Sequence, residues 1–130
     1  MITKIIILLI AFQIKHYLCD FPLQTKYMLG KFKEKDWIKP LSAHCRMHTF
    51  FTLAIIIIYG FINPSTSTWV LLLAPFDFIM HFIMDRIKAS PKIWGKYTPD
   101  QQAFWNHIGI DQAFHHLTHY VIIFTLVLKG

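Results

Sequence analysis

Asp111-Gln112-Ala113-Phe114-His115-His116-Leu117-Thr118-His119 runs without a break into an apolar stretch that ends at Leu128. Residues four apart share one face of a helix, so Asp111, His115 and His119 form a row. Groups that bind protons or metals thus stand at the mouth of a segment otherwise suited to lipid. Three other apolar segments carry a comparable pair: His16 with Asp20, His44 with His48, and His81 with Asp85. This recurrence predicts an all-α protein, a polytopic membrane four-helix bundle in which each helix contributes one polar pair.

The composition agrees. The chain is 55% hydrophobic and 15% charged, against about 25% charged in an ordinary soluble domain. Its 130 residues are read as a single integral membrane domain, 1–130, with spans at about 2–20, 41–62, 69–88 and 107–128. The formal net charge of +6 raises nucleic acid as a partner, but most Lys and Arg fill two connections between apolar segments rather than one helix face. Nucleic acid is therefore excluded, and the bilayer is the expected partner. An oligomer is compatible with this reading. Cys19 and Cys45 form no C-x-x-C pair and read as buried thiols in a reducing compartment.

Ile2 to Cys19 starts like a signal peptide, with Lys4 and an apolar run, but continues into Gln13, Lys15, His16 and Asp20 with no small-x-small cleavage site, so it is read as retained. Pro22 closes it. Residues 23–40 alternate lysines with Tyr27, Phe32 and Trp37, which predicts an interfacial connection with a short amphipathic helix. Pro40 suits the first turn of the second helix. Pro75 should kink or split the third. Thr98-Pro99-Asp100 should start a short helix before the fourth span.

Seven Lys or Arg lie from Lys15 to Arg46 and four from Arg86 to Lys96, while the Asn63–Thr68 turn has none. Positive charge stays on the cytoplasmic side. Both termini are then outside and both long connections cytoplasmic, in a bacterial inner membrane. The polar pairs end the odd spans and begin the even ones, which brings all four to that same side.

Imidazole with carboxylate suits a divalent transition metal (Zn, Mn, Fe or Ni), bound as one ion or two. The candidate ligands are His16, Asp20, His44, His48, His81, Asp85, Asp111 and His115; Asp20, His48, Asp85 and Asp111 are the candidate acid/base groups. Gln24, Lys88 and Gln112 are candidate substrate contacts. For Gln24 the alternative is a cap on the connection, and for Lys88 a snorkelling side chain. Gln112 is expected to face away from Asp111 toward a neighbouring helix. His119 is an inner ligand or a packed residue one turn deeper, and His116 points off the row. His107 and Asp77 are weaker candidates.

His16-x3-Asp20-Phe21-x2-Gln24, His44-x3-His48, His81-x3-Asp85-x2-Lys88 and Asp111-Gln112-x2-His115 resemble a family of small bacterial and phage membrane proteins, domain of unknown function 3307. That resemblance covers nearly the whole chain and carries the site residues of the four motifs; His116, His119 and the connection from Ala89 to His107 lie outside its pattern. A looser similarity is to inner-membrane proteins assigned as metal-dependent hydrolases. The function expected is metal-dependent hydrolysis of a lipid or lipid-linked, phosphorylated substrate at the cytoplasmic leaflet. The alternatives are a metal or proton transporter, a di-iron oxygenase, a non-enzymatic membrane regulator, or a cluster that only glues the helices.

Overall fold

A computed structural model describes residues 1–129. Four α-helices run in the order α1 (Ile2–Asp20), α2 (Ile38–Ile62), α3 (Leu73–Ala89) and α4 (Gln102–Lys129). Short 3₁₀ turns, Met28–Phe32 and Thr68–Leu72, precede α2 and α3. No strand occurs among the described residues. Each helix packs on its neighbour in the chain and α4 returns against α1, closing the bundle.

The proline positions follow from the missing amide. Pro40 and Pro75 both fall in the first turn of their helices, where that amide would have no intrahelical partner. The expected break at Pro75 therefore lies upstream, at the junction of the 3₁₀ turn with α3. The helix expected near Thr98 belongs to α4 itself, which begins five residues ahead of His107. The amphipathic helix expected between residues 23 and 40 is the single 3₁₀ turn Met28–Phe32.

This turn is a strap across one end of the bundle. Met28, Gly30 and Lys31 are buried, and a Cβ on Gly30 would lie 2.7 Å from Pro40 Cγ, so only glycine permits the approach to α2. Arg86 clamps the strap from α3 by donating to the carbonyls of Lys31 (3.3 Å) and Lys33 (3.4 Å). Its guanidinium also sits 3.8 Å from the Trp37 ring centroid. Asp36 turns the chain with φ 57°, a left-handed conformation that short polar side chains tolerate.

The interior divides along its length. At one end Leu8 and Phe12 of α1, Ile56 and Tyr59 of α2, Leu73 and Ala74 of α3, and Ile122, Ile123 and Leu126 of α4 form an apolar core. At the other end buried His, Asp, Lys and Thr side chains stand among Cys19, Leu41, Cys45, Met84 and Ala89. The outer surface is inverted relative to a water-soluble bundle: Ile7, Ile10, Ile14, Phe50, Phe61, Leu117 and Val121 are exposed. Helices α1 and α2 are long and apolar enough to cross a membrane. Helix α3 has 17 residues, and with α4 carries many of the interior polar groups.

Candidate metal centre

The four predicted pairs meet. His16 and Asp20 come from the C-terminal turns of α1, His44 and His48 from the start of α2, His81 and Asp85 from the end of α3, and Asp111 and His115 from α4. Because neighbouring helices run antiparallel, the ends of odd helices and the beginnings of even ones reach the same level.

Asp85 is the hub on α3. Its carboxylate accepts from Lys31 Nζ at 3.1 Å and His115 Nε2 at 3.1 Å, with Lys88 Nζ at 3.3 Å. Lys88 Nζ also donates to Asp111 at 2.9 Å. His115 Nε2 is shared, lying 3.1 Å from both Asp85 Oδ1 and Asp111 Oδ1. Lys88 is thus neither a free headgroup contact nor a snorkelling side chain; it neutralises two buried carboxylates. Gln112 reaches a neighbouring helix as expected but does not face away from Asp111. Its amide nitrogen donates to Asp111 at 3.0 Å while its oxygen accepts from His16 Nε2 at 2.9 Å, tying α4 to α1.

One helical turn deeper lies a second polar layer. Asp77 accepts from Lys15 Nζ (2.9 Å), Thr52 Oγ1 (2.6 Å) and His81 Nδ1 (3.1 Å). Lys15 Nζ also donates to His119 Nε2 at 3.3 Å, so His119 belongs to this layer. Asp77 is fully buried, a central residue and not a weak candidate. Lys15 and Lys31 fall among the connection charges by sequence, but both are buried in ion pairs. The sequence signal for Asp77 was present: Asp77-x3-His81-x3-Asp85 repeats the three-member row Asp111-x3-His115-x3-His119.

The charges sort the cluster. Three carboxylates, Asp77, Asp85 and Asp111, have lysine partners within 3.1 Å. Asp20 pairs with no lysine; His48 Nε2 (2.9 Å), His16 Nε2 (3.2 Å) and His44 Nε2 (3.4 Å) surround it. Four carboxylates against three ammonium groups leave one formal negative charge, placed at Asp20. Asp20 is also the carboxylate open to solvent, with 16% of its side chain exposed against 1% or less for the other three.

Three imidazoles have the form of metal ligands. His16, His48 and His81 each offer a ring nitrogen within 4.8 Å of the other two. One nitrogen of each ring donates to a fixed acceptor: His16 to Gln112, His48 to Asp20, His81 to Asp77. The opposite nitrogens, His16 Nδ1, His48 Nδ1 and His81 Nε2, are buried without a hydrogen-bond partner, as are His115 Nδ1 and both nitrogens of His44. The trio differs in being a converging group of imidazoles alone, whereas the groups that include His44 or His115 also contain carboxylates. An acceptor on one side fixes the proton there and leaves a lone pair on the other, the arrangement that outer carboxylates and amides impose on metal-bound histidines. A buried polar atom without a partner costs about 1–3 kcal/mol, so three together favour a cation that satisfies them. His44 lies between Asp20 and Asp85, its Nε2 3.0 Å from Asp85 Oδ2 but off the hydrogen-bonding axis.

The remaining candidates lie apart. Gln24 is half-buried beyond the end of α1 and makes no side-chain hydrogen bond among the described residues. His107 stacks parallel on Trp94 with centroids 4.3 Å apart. His116 packs at the cluster's edge, 5.4 Å from the His16 ring. Cys19 and Cys45 are buried and free.

A helical bundle with a His/Asp/Lys cluster inside one end and apolar side chains outside defines the class of protein. Within it the chain belongs to the family described as Protein of unknown function (DUF3307), which matches residues 8–129 and so takes in all four motifs. No curated protein and no solved structure matches the chain.

Proposed function

We propose that the protein is a membrane-embedded, metal-dependent hydrolase acting at the cytoplasmic leaflet on a lipid or lipid-linked substrate. The observation that carries this reading is the trio His16, His48 and His81, each ring held on one nitrogen and unpartnered on the other. Three imidazoles with a fourth position open is a ligand set of catalytic zinc sites. A divalent ion there would bring the pKa of a bound water toward neutrality. Asp20, hydrogen-bonded to His48 and partly open to solvent, is the carboxylate placed to take up and release a proton. Asp77 orients His81, and Gln112 orients His16. Lys31 and Lys88 engage Asp85 and Asp111 in ion pairs, so these two carboxylates support the site and do not compete for the ion.

The membrane placement rests on the exposed apolar side chains, on the spanning length of α1 and α2, and on the clustering of both long connections at the polar end. If α3, extended by its 3₁₀ turn, and α4 also span, the positive-inside rule favours the cytoplasm for that end. The transport alternative needs a polar path to the other side. The far half of the interior, from Leu8 to Leu126, is apolar, which weighs against one.

Metal analysis of the full chain purified in detergent tests the proposal. One transition-metal ion per chain is expected. His81→Ala should abolish retention and Asp77→Asn should weaken it about 10–100-fold. A folded chain that retains no transition metal after loading would overturn the metal reading. A loaded chain that cleaves none of a panel of ester and phosphoester lipids in vesicles would overturn the hydrolase reading.

A further inference from the structure

The polar cluster is closed at both ends of the bundle: by the Met28–Phe32 strap on one side, with Lys31 bound to Asp85, and by the apolar core on the other. It is approached from the side. Between α1 and α4 runs a groove of about 310 Å³, with exposed Ile10 at its rim, buried Phe12 and Ile123 at its floor, and Gln13, His116 and His119 in its polar lining. His116 and His119 lie 5.4 and 5.6 Å from the His16 ring, so the groove ends one side chain away from the proposed metal ligands. No carboxylate lines it, and Lys15 stands behind His119 at 3.3 Å.

We propose that this groove seats one acyl chain of a bilayer lipid and presents the polar linkage at the head of that chain to His116, His119 and His16. The inference rests on the membrane placement above and names the substrate class for that site. The occupant follows from the lining. Exposed Ile6, Ile14, Val121 and Phe124 surround the groove, so an aliphatic chain reaches it along a continuous apolar face, while a free polar solute would have to cross that face. The groove spans His116 to Ile123 along α4, about 10 Å at 1.5 Å per residue, and its volume equals on the order of ten water-sized groups. Imidazole and amide donors with a lysine behind them, and no carboxylate, suit an ester or phosphoester oxygen. An apolar recess of about 220 Å³ between α1 and α2 is lined by Lys4, Leu8, Tyr59 and Asn63 and touches no member of the cluster, which makes it an internal control.

The experiment uses the full metal-loaded chain in phosphatidylethanolamine/phosphatidylglycerol vesicles doped with a phospholipid carrying a diazirine in mid-acyl chain. Adducts are mapped by mass spectrometry. Labelling at Leu9, Tyr120 and Ile123, the end of the groove that a mid-chain carbon reaches, should exceed that at the lipid-facing Phe50 and Phe61, and at the α1–α2 recess, by about fivefold, a preference near 1 kcal/mol. Ile10→Trp, at the exposed rim, should remove the excess with metal content unchanged; Gln13→Trp serves as the second variant. Adducts spread evenly over the exposed apolar positions, or an excess that survives both variants, would overturn the groove. Preferential labelling in a chain that binds no metal would support the groove and sink only the hydrolase reading. Metal retained without preferential labelling would do the reverse.

Discussion

The two halves of the bundle interior are built from the same four helices and obey different physics. Helix α1 gives Leu8 and Phe12 to one half and Lys15, His16 and Asp20 to the other; α4 gives Ile122, Ile123 and Leu126 to the first and Asp111, His115 and His119 to the second. In the apolar half any well-shaped side chain would serve, since its energy comes from burial and close packing. In the polar half the groups, His44 excepted, are specified by named partners at hydrogen-bonding distance. Buried ion pairs are weak contributors to stability, because desolvation offsets most of their attraction. A fold that wanted only stability would have continued the apolar core to the strap. That it instead places four carboxylates, three lysines and six buried histidines there is the physical reason to read that half as functional.

The largest effect is expected at the deep pair. Asp77→Ala leaves the Lys15 ammonium buried without a counter-charge and should destabilise the chain by about 3–5 kcal/mol in SDS-induced unfolding from mixed micelles. Lys15→Met combined with Asp77→Leu removes both charges, and stability should return to near the wild-type value or above it. Metal affinity should not return with it, because His81 has lost the acceptor that fixes its proton. A double variant that recovers both stability and metal would erase the distinction between the two halves.

In the apolar half the expected response is graded rather than specific. Ile122→Val removes one methylene from a fully buried side chain and should cost about 0.5–1.5 kcal/mol in the same assay, with metal content unchanged. Loss of metal here would show that the apolar half positions the histidines, and would sharpen the comparison in the opposite direction.

The legible and illegible residues divide along similar lines. The four His/Asp pairs could be read because spacing at i and i+4 is local, and an antiparallel bundle turns alternating ends into a common level. The boundaries of α1 and α2 were legible from length and from Pro40. Lys15 and Lys31 were not. Lys15 has its partner Asp77 62 residues away, and Lys31 reaches Asp85 from a turn whose position depends on Gly30 packing against Pro40. Nothing in a lysine's own neighbourhood says that it will be buried when its counter-charge lies on another helix. Removing the two from the connections leaves five basic residues in the first one, still far from the neutral middle turn, so the predicted sidedness does not depend on them.

The smallest effect is expected where the two long connections touch. Lys92 Nζ donates to Glu34 at 2.9 Å, but the two side chains are 73% and 58% exposed, so water and salt screen the pair. The Lys92 ammonium holds the Glu34 carboxyl below its usual value of 4.5. Whatever the pair contributes is therefore present above pH 4.5 and lost as pH falls through the lower folded value. Glu34→Gln should leave unfolding unchanged within replicate scatter at pH 7, and should not widen the difference between pH 7 and pH 4 beyond that of the wild type. The strap's attachment has a different source: Arg86, stacked on Trp37 and donating to two strap carbonyls, together with the buried Lys31–Asp85 pair. If Glu34→Gln loosened the strap, measured as faster amide exchange over residues 28–33, the exposed pair would be holding what the buried contacts are here taken to hold.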